Sequence, residues 1–304
     1  MQKAFELSVV VVNYNTFHLL KCCLINLQEI CIPAKEILVV DNASTDGSRE
    51  WLQTLRDERI RCILSPKNLG FARGCNLGIR QATGEFILLL NTDAFPRPGA
   101  IETLVAYLEQ HSDVGIVGPQ LLYPNGRWQR SSGRIPSPCS AFLDALGVTS
   151  LEHIIAAALW PLTGRWWRPY EVEYVDGACM LIRRIVIEQI GGLDERFFLF
   201  VEDAEYCARA RAHGWRVVYL PQSHVVHLRG GSSAQKNYEH AIRMRVYSEK
   251  RFVVETQGEN AWRCMARWRQ LGFAWRMWLA RFTRQKVRYE HYRAAYHAYR
   301  EATL

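Results

Sequence analysis

The sequence predicts an α/β protein: a mostly parallel sheet flanked by helices, Rossmann-like in plan, with a C-terminal helical extension. Three observations carry that expectation. Short apolar runs alternate with stretches of helical spacing over the first 118 residues. Acidic residues, Asp41 and Asp93, stand where two of those runs end. Beyond about Ser233 only helical periodicity remains.

In chain order, residues 7–12 (LSVVVV) read as a buried strand and 17–27 as a helix. Residues 36–40 (EILVV) form a second strand that ends on Asp41. Ser44 or Thr45 can cap a helix running through Leu55. Residues 61–64 read as a third strand and 74–82 as a helix. Residues 86–90 (FILLL) read as a fourth strand, ending on Asn91-Thr92-Asp93. A helix over 100–110 and a strand over 114–117 follow. From 119 to 169 the pattern weakens and Gly, Pro, Ser and Trp are frequent, which predicts a long excursion. Regularity returns with strands at 172–175 and 178–182 and a helix at 184–190, then a helix at 202–213 and a strand at 216–220.

The 304 residues are 49% hydrophobic and 22% charged, a composition that can build a sizeable core. The nine cysteines are scattered without metal-type spacing and read as reduced core residues of a cytosolic protein. No charged leader precedes a long apolar stretch, so no signal peptide is expected. The longest apolar run, 154–162, falls far short of the ~20 residues that span a bilayer. The net charge of +8 is concentrated: residues 261–304 carry ten basic and two acidic residues, and the remainder is neutral. Such a tail suits a polyanionic partner.

Four constellations carry chemistry. The first is Asn13-Tyr14-Asn15 with the segment DNASTDG that begins at Asp41. A strand-end carboxylate there can bind a base or ribose, although the segment also makes a good turn and cap. Neither GxGxxG after the first strand nor GxxxxGK[ST] is present, which removes the dinucleotide-fingerprint and P-loop readings. The second is Asp93, which can hold Mg²⁺ or Mn²⁺ against a diphosphate or simply cap a strand end. The third is Glu202-Asp203 at the start of a helix, where an ionised carboxylate is favoured. It suits a general base, and equally plain capping with a Glu205–Arg209 pair. The fourth is His227, a candidate nitrogen ligand or an ordinary structural histidine.

Jointly, the motifs VVVNYN, VVDNASTDGS, NLGFARGCNLGI, ILLLNTDAF, VDGACMLIRR, GGLDERFFLFVEDAEYCARARAHGW and HLRGGSS span residues 7–233. In that order they resemble the family 2 glycosyltransferases of GT-A fold, in their bacterial rhamnosyltransferase-like branch. The resemblance implies a catalytic domain over 1–235, with a donor half to about 118 and an acceptor half over about 119–235, and a basic aromatic helical region over 236–304. It implies that Asp41 reads the donor base beside Asn13, and that Asn68, Gly70, Arg73, Asn76 and Thr92 frame the nucleotide. Asp93 becomes the metal carboxylate, with His227 near the metal or diphosphate. Asp203 becomes the base, and Asp176 and Glu202 line the acceptor side. Asn91 departs from the family's first DxD carboxylate, which leaves metal contact to Asp93, His227 and the diphosphate.

The implied reaction is inverting transfer of a sugar, taken as rhamnose from dTDP-rhamnose or another dTDP- or UDP-sugar. The acceptor is a hydroxyl of a glycan or lipid-linked molecule in bacterial cell-surface polysaccharide synthesis. A non-catalytic sugar-nucleotide or glycan-binding protein on the same fold is the alternative. A nucleotidyltransferase lacks support, because the first strand is followed by NYNTFHLL rather than a Gly-rich basic loop. In the tail, Trp268, Leu271, Trp275, Trp278, Phe282, Tyr289, Tyr292, Tyr296 and Tyr299 fall at alternating three–four spacing, which predicts one aromatic helical stripe among arginines. Such a stripe suits peripheral association with the inner face of the cytoplasmic membrane. It also suits packing on the catalytic domain or on a second copy in a homodimer. Nucleic acid is not expected as a partner.

Overall fold

The computed structural model describes residues 5–30, 32, 34–163, 167–228 and 238–303. The first half contains β1 (Phe5–Asn13), α1 (Phe17–Glu29), β2 (Ala34–Asp41), α2 (Ser48–Leu52), β3 (Ile60–Leu64), α3 (Phe71–Gln81), β4 (Phe86–Asn91), β5 (Ala94–Pro96), α4 (Ala100–Gln110) and β6 (Val114–Leu122). Next come β7 (Ser132–Gly133), α5 (Pro138–Ala145), α6 (Val148–Thr163), β8 (Tyr170–Glu171), β9 (Tyr174–Val175), β10 (Cys179–Arg183), α7 (Arg184–Ile190), α8 (Glu202–Ala212) and β11 (Arg216–His227). Three helices close the chain: α9 (Tyr238–Gln257), α10 (Glu259–Phe282) and α11 (Lys286–Glu301).

The main sheet runs β3-β2-β1-β4-β10-β6-β11-β5, with β8 beside β5 on the outer edge of β11. β3, β2, β1 and β4 are mutually parallel, and so are β6 and β11. β10 runs antiparallel between β4 and β6, and β5 antiparallel on β11. The expected mostly parallel sheet is present. Its central strands, such as β4, are buried almost end to end because helices cover both sides, whereas β3 at the edge is half exposed. Val9 and Val11 of β1 face one core with Leu20, Leu24 and Leu27 of α1 and Leu104 and Leu108 of α4. Val10 faces the other, with Cys75 and Ile79 of α3 and Tyr206 of α8. The period-two alternation of the strand thus feeds two layers. α3 lies close on β1 because it carries glycine where they touch: a Cβ on Gly74 would come within 2.8 Å of Val12 Cγ1.

Several expectations are corrected. Neither Ser44 nor Thr45 caps α2, whose N-cap is Gly47 in the left-handed region. Asp46 instead accepts from the Ser48 amide and hydroxyl, and the helix ends at Leu52. The excursion over 119–169 is substantially structured, holding the end of β6, β7, α5 and α6. A capping box between Ser137 and Ser140, with Pro138 at the first position, starts α5. β11 continues past Leu220 to His227 across a register break at Pro221, where a proline can sit without a ladder bond. The aromatic stripe is not one helix: α10 and α11 meet at a turn where Arg284 takes φ 57.

The C-terminal helices build a third core with α5. Trp262, Met265 and Ala266 of α10 pack with Phe252 and Val253 of α9, Tyr299 of α11, Ala141 and Phe197. Arg269 and Arg276 pair with Asp144 on α5, so part of the basic tail is used internally. The eight described cysteines are all free, but only Cys23, Cys75, Cys179 and Cys207 lie in the core as expected; Cys22, Cys62, Cys139 and Cys264 are exposed, and burial pushes the Cys23 thiol up to about 12. Cys31 and residues 229–233 of the HLRGGSS motif lie outside the described residues.

Candidate active site

The carboxyl ends of β1, β2 and β4 are in register, with Asn13 opposite Asp41 and Val12 opposite Asn91. Asn13 donates to Asp41 Oδ2 at 2.9 Å and to Ser44 Oγ at 3.0 Å, and its own Oδ1 accepts from Thr16. The Thr16 hydroxyl meets the Thr92 hydroxyl at 3.0 Å. A buried chain of hydrogen bonds therefore links Asp41 to the residue preceding Asp93. Asp41 also accepts from the Ser44 amide, with Arg49 Nε 3.6 Å away.

Asp93 is joined to His227 by a strand pairing invisible in the sequence. β5 runs antiparallel to β11 with His227 opposite Ala94, and the Leu228 amide donates to the Asp93 carbonyl. His227 Nε2 stands 3.4 Å from Asp93 Oδ1, and Nδ1 lies 2.7 Å from Gln129 Oε1. The Gln129 amide nitrogen donates to the His227 carbonyl, which orients the side chain.

Asp203 arrives on the first turn of α8. The turn before it is strained: Phe200 and Val201 both have positive φ, 68 and 71. A β-branched residue pays heavily for that conformation, which persists where the surroundings impose it. Asp203 accepts from the Gly177 amide at 3.0 Å and from the Ala204 amide at 2.8 Å. Burial, and then the Asp176 charge, push its carboxyl up from the ordinary range. Burial, followed by the Asp203 charge, pushes Glu202 up as well, and Glu202 Oε2 is buried without a hydrogen bond. The Asn91 amide donates to the Ala178 carbonyl, tying the end of β4 to the turn that holds Asp176 and Gly177.

One cavity of about 640 Å³ has Asp93, His227, Asp176, Glu202 and Asp203 among its lining, together with Arg130 and Arg245. The other expected site residues are not part of that lining. Asn13 and Asp41 are fully buried. Asn68 accepts from Asn42 and from the Gly70 amide. Gly70 has φ +83, and a Cβ there would stand 2.5 Å from the Phe198 carbonyl oxygen. Arg73 pairs with Glu195. Asn76 is consumed by bonds to Leu193 and Glu195, fastening α3 to the loop before α8. Gln129, Arg130 and Arg245 were not anticipated. The first two lie in an aperiodic segment, and Arg245 is one arginine among many on α9.

The profile of glycosyl transferase family 2 matches residues 8–191, more than half of the chain. The chain belongs to glycosyl transferase family 2. This glycosyltransferase is 25% identical over 284 residues to N-acetylglucosaminyl-diphospho-decaprenol L-rhamnosyltransferase of Mycobacterium tuberculosis, covering 86% of this chain and 88% of the relative. It is 24% identical over 217 residues to the dTDP-rhamnosyl transferase RfbF of Shigella flexneri, covering 69% and 67%. Its fold matches the mannosyltransferase PcManGT of Pyrobaculum calidifontis, solved with GDP-Man and Mn²⁺, with a TM-score of 0.60 at 17% identity over 98% of this chain and 86% of that one. Family membership decides against the non-catalytic and nucleotidyltransferase alternatives.

The family fold implies a divalent cation. Among the described residues no cluster of three His, Cys, Asp or Glu could hold one by itself. Asp93 and His227 nonetheless fit a cation that also binds substrate phosphates, since hard cations commonly use one or two carboxylates plus phosphate oxygens. Gln129 would supply the outer hydrogen bond that sets the imidazole of His227 as a ligand.

Proposed function

We propose that the protein transfers rhamnose, with inversion, from dTDP-rhamnose to a sugar hydroxyl of a diphospho-lipid acceptor in bacterial cell-surface polysaccharide synthesis. The observation that carries this reading is the one cavity whose lining holds Asp203 together with Asp93 and His227. The two rhamnosyltransferase relatives support the sugar, and their names support the dTDP donor and the lipid-diphosphate acceptor. Arg130 and Arg245 in the same cavity suit an acceptor that carries negative charge. Such an acceptor would be met at the inner face of the cytoplasmic membrane.

In the proposed reaction the Asp203 carboxylate takes the proton of the acceptor hydroxyl. The hydroxyl oxygen forms a bond to C1 from the side opposite the nucleotide. The bond from C1 to the diphosphate oxygen breaks, and its electron pair leaves with dTDP. A divalent cation held by Asp93 and His227 would neutralise charge on that diphosphate. The Gly177 and Ala204 amides keep Asp203 ionised and aimed, while Asp176 raises its basicity. Asp41, Asn13 and the segment from Asn68 to Asn76, with Thr92, serve the nucleotide end.

The test is transfer from dTDP-rhamnose, with Mn²⁺, to a synthetic N-acetylglucosaminyl-diphospho-lipid, with product anomeric configuration read by NMR. The expected product has inverted configuration. Asp203→Asn is expected to lose on the order of 10²–10⁴-fold in kcat with donor affinity retained. Wild-type transfer by Asp203→Asn, or a retained configuration, would overturn the mechanism.

A further inference from the structure

α6 has the composition of a buried helix, yet it lies on the surface. Its sequence, VTSLEHIIAAALWPLT, carries one formal charge, Glu152. One side of it touches the body: Glu152 pairs with Arg134, the His153 ring approaches Trp128, and Trp160 meets His224. The opposite side is bare, with Ile154 65% and Leu162 74% exposed and Leu151 and Ile155 beside them. Isolated exposed apolar residues need no explanation, but a continuous stripe marks an interaction surface.

A second exposed apolar patch lies on α10, which packs against α5. Trp275 Nε1 donates to the Ala145 carbonyl at 2.7 Å, and Gly272 packs on Ala145, so the corner between α5 and α6 rests on α10. Leu146 is exposed at that corner. Beyond it, Trp278 and Phe282 stack with ring centroids 5.9 Å apart and are 69% and 77% exposed. Arg281, Arg284, Lys286 and Arg288 are all exposed around these rings, and no acidic residue interrupts the run from Arg281 to Tyr289.

We propose that this surface, formed by α6 and the C-terminal part of α10, docks the enzyme on an anionic lipid bilayer. Tryptophan and phenylalanine beside arginine and lysine suit the interface between acyl chains and negatively charged headgroups. The charge decides the occupant: in a two-fold pairing of copies the same basic rim would meet itself or its near neighbours, whereas an anionic membrane complements it. Among the described residues no single helix is long and apolar enough to cross a membrane. The pair α5 and α6 has the composition for it but is bent by 70°, which suits lying in the interface. The biological use of this docking rests on the lipid-linked acceptor proposed above, because it would hold the cavity at the surface where that acceptor resides.

The experiment is co-sedimentation of the full chain with phosphatidylcholine vesicles, with and without phosphatidylglycerol, in the absence of donor and acceptor. Wild type is expected to bind the phosphatidylglycerol vesicles and to be released by salt. Arg281→Ala and Arg284→Ala should each weaken binding about fivefold. Trp278→Asp with Phe282→Asp should weaken it on the order of a hundredfold, and so should Ile154→Asp with Leu162→Asp. All these positions are exposed, and an unchanged far-UV spectrum and dTDP affinity would show that the variants fold. Wild type remaining in the supernatant with phosphatidylglycerol vesicles overturns the proposal. So does a dimer in sedimentation velocity that the same substitutions break, which would make the surface a contact between copies. No chemistry is read, so a failed docking result leaves the transferase reading intact, and failed transfer leaves docking measurable.

Discussion

Asp93 and His227 face each other with Nε2 and Oδ1 3.4 Å apart, while Gln129 takes up the other imidazole nitrogen. With the proton on Nδ1, where the Gln129 carbonyl oxygen can accept it, Nε2 turns its lone pair toward a carboxylate. Two electron-rich atoms so disposed are stabilised by a cation shared between them.

The first prediction concerns Gln129, which would touch neither metal nor substrate. Gln129→Leu frees the imidazole to rotate and to change tautomer. Mn²⁺ affinity, measured by calorimetry in the presence of dTDP and by activation of transfer, should fall about 10–100-fold. The kcat at saturating Mn²⁺ should change much less. Unaltered Mn²⁺ affinity would show that Gln129 does not set the imidazole.

The second prediction is a pH profile. As the proposed base, Asp203 would work only when ionised, and burial together with Asp176 raises its carboxyl above the ordinary range. Activity should therefore climb with pH through an apparent pKa above that of a free aspartate, and Asp176→Asn should move the rising limb to lower pH. The sign for stability is opposite. A raised carboxyl pKa means that folding favours the proton, so this stabilisation is complete below the unfolded pKa and is lost as pH rises through the folded one. Glu202, raised by burial first, follows the same rule. Glu202→Gln should then raise Tm relative to wild type, increasingly so toward alkaline pH. Parallel Tm curves for the two proteins would contradict it.

The first half of the chain was legible because strand ends and periodicity are local signals. LSVVVV, EILVV and FILLL read as strands, and Asp41 and Asp93 stood where they stopped. Glu202-Asp203 was legible as a helix start, the resemblance chose between base and cap, and the structure brings that turn into one cavity with Asp93. What stayed hidden was long-range. Gln129 meets His227 across 98 positions, and β5 is three residues long. Arg245 enters the cavity only through the packing of α9, which no periodicity in its own sequence announces. The single aromatic stripe failed for the converse reason: spacing runs on through a turn, and only backbone geometry shows that Arg284 breaks it.

Backbone strain before α8 gives the third prediction. Val201 holds φ 71 immediately ahead of Glu202 and Asp203. Val201→Gly removes the Cβ conflict and should stabilise the protein by about 1 kcal/mol in urea unfolding, with glycine's greater unfolded-state entropy offsetting part of the relief. The same freedom loosens the aim of Asp203, so kcat should fall while the KM for donor holds. A variant more stable and fully active would show that the strain has no catalytic use.

Arg245 supplies the last. Its guanidinium lies 4.8 Å from the centre of the Phe200 ring and within electrostatic reach of Glu202 and Asp203, whose raised pKa values it opposes. It faces the carboxyl pair and, in the proposed reaction, would also meet an anionic group of the acceptor. Arg245→Ala should raise the KM for a diphospho-lipid acceptor about tenfold, with less effect in high salt, because exposed charge interactions are screened within roughly 10 Å at 0.1 M. The KM for dTDP-rhamnose should hold. Removing the cation should also lift the apparent pKa of the activity profile, since the ionised form of Asp203 loses a favourable neighbour. A merely structural role for Arg245 would change stability without shifting that pKa, so the profile separates the two roles.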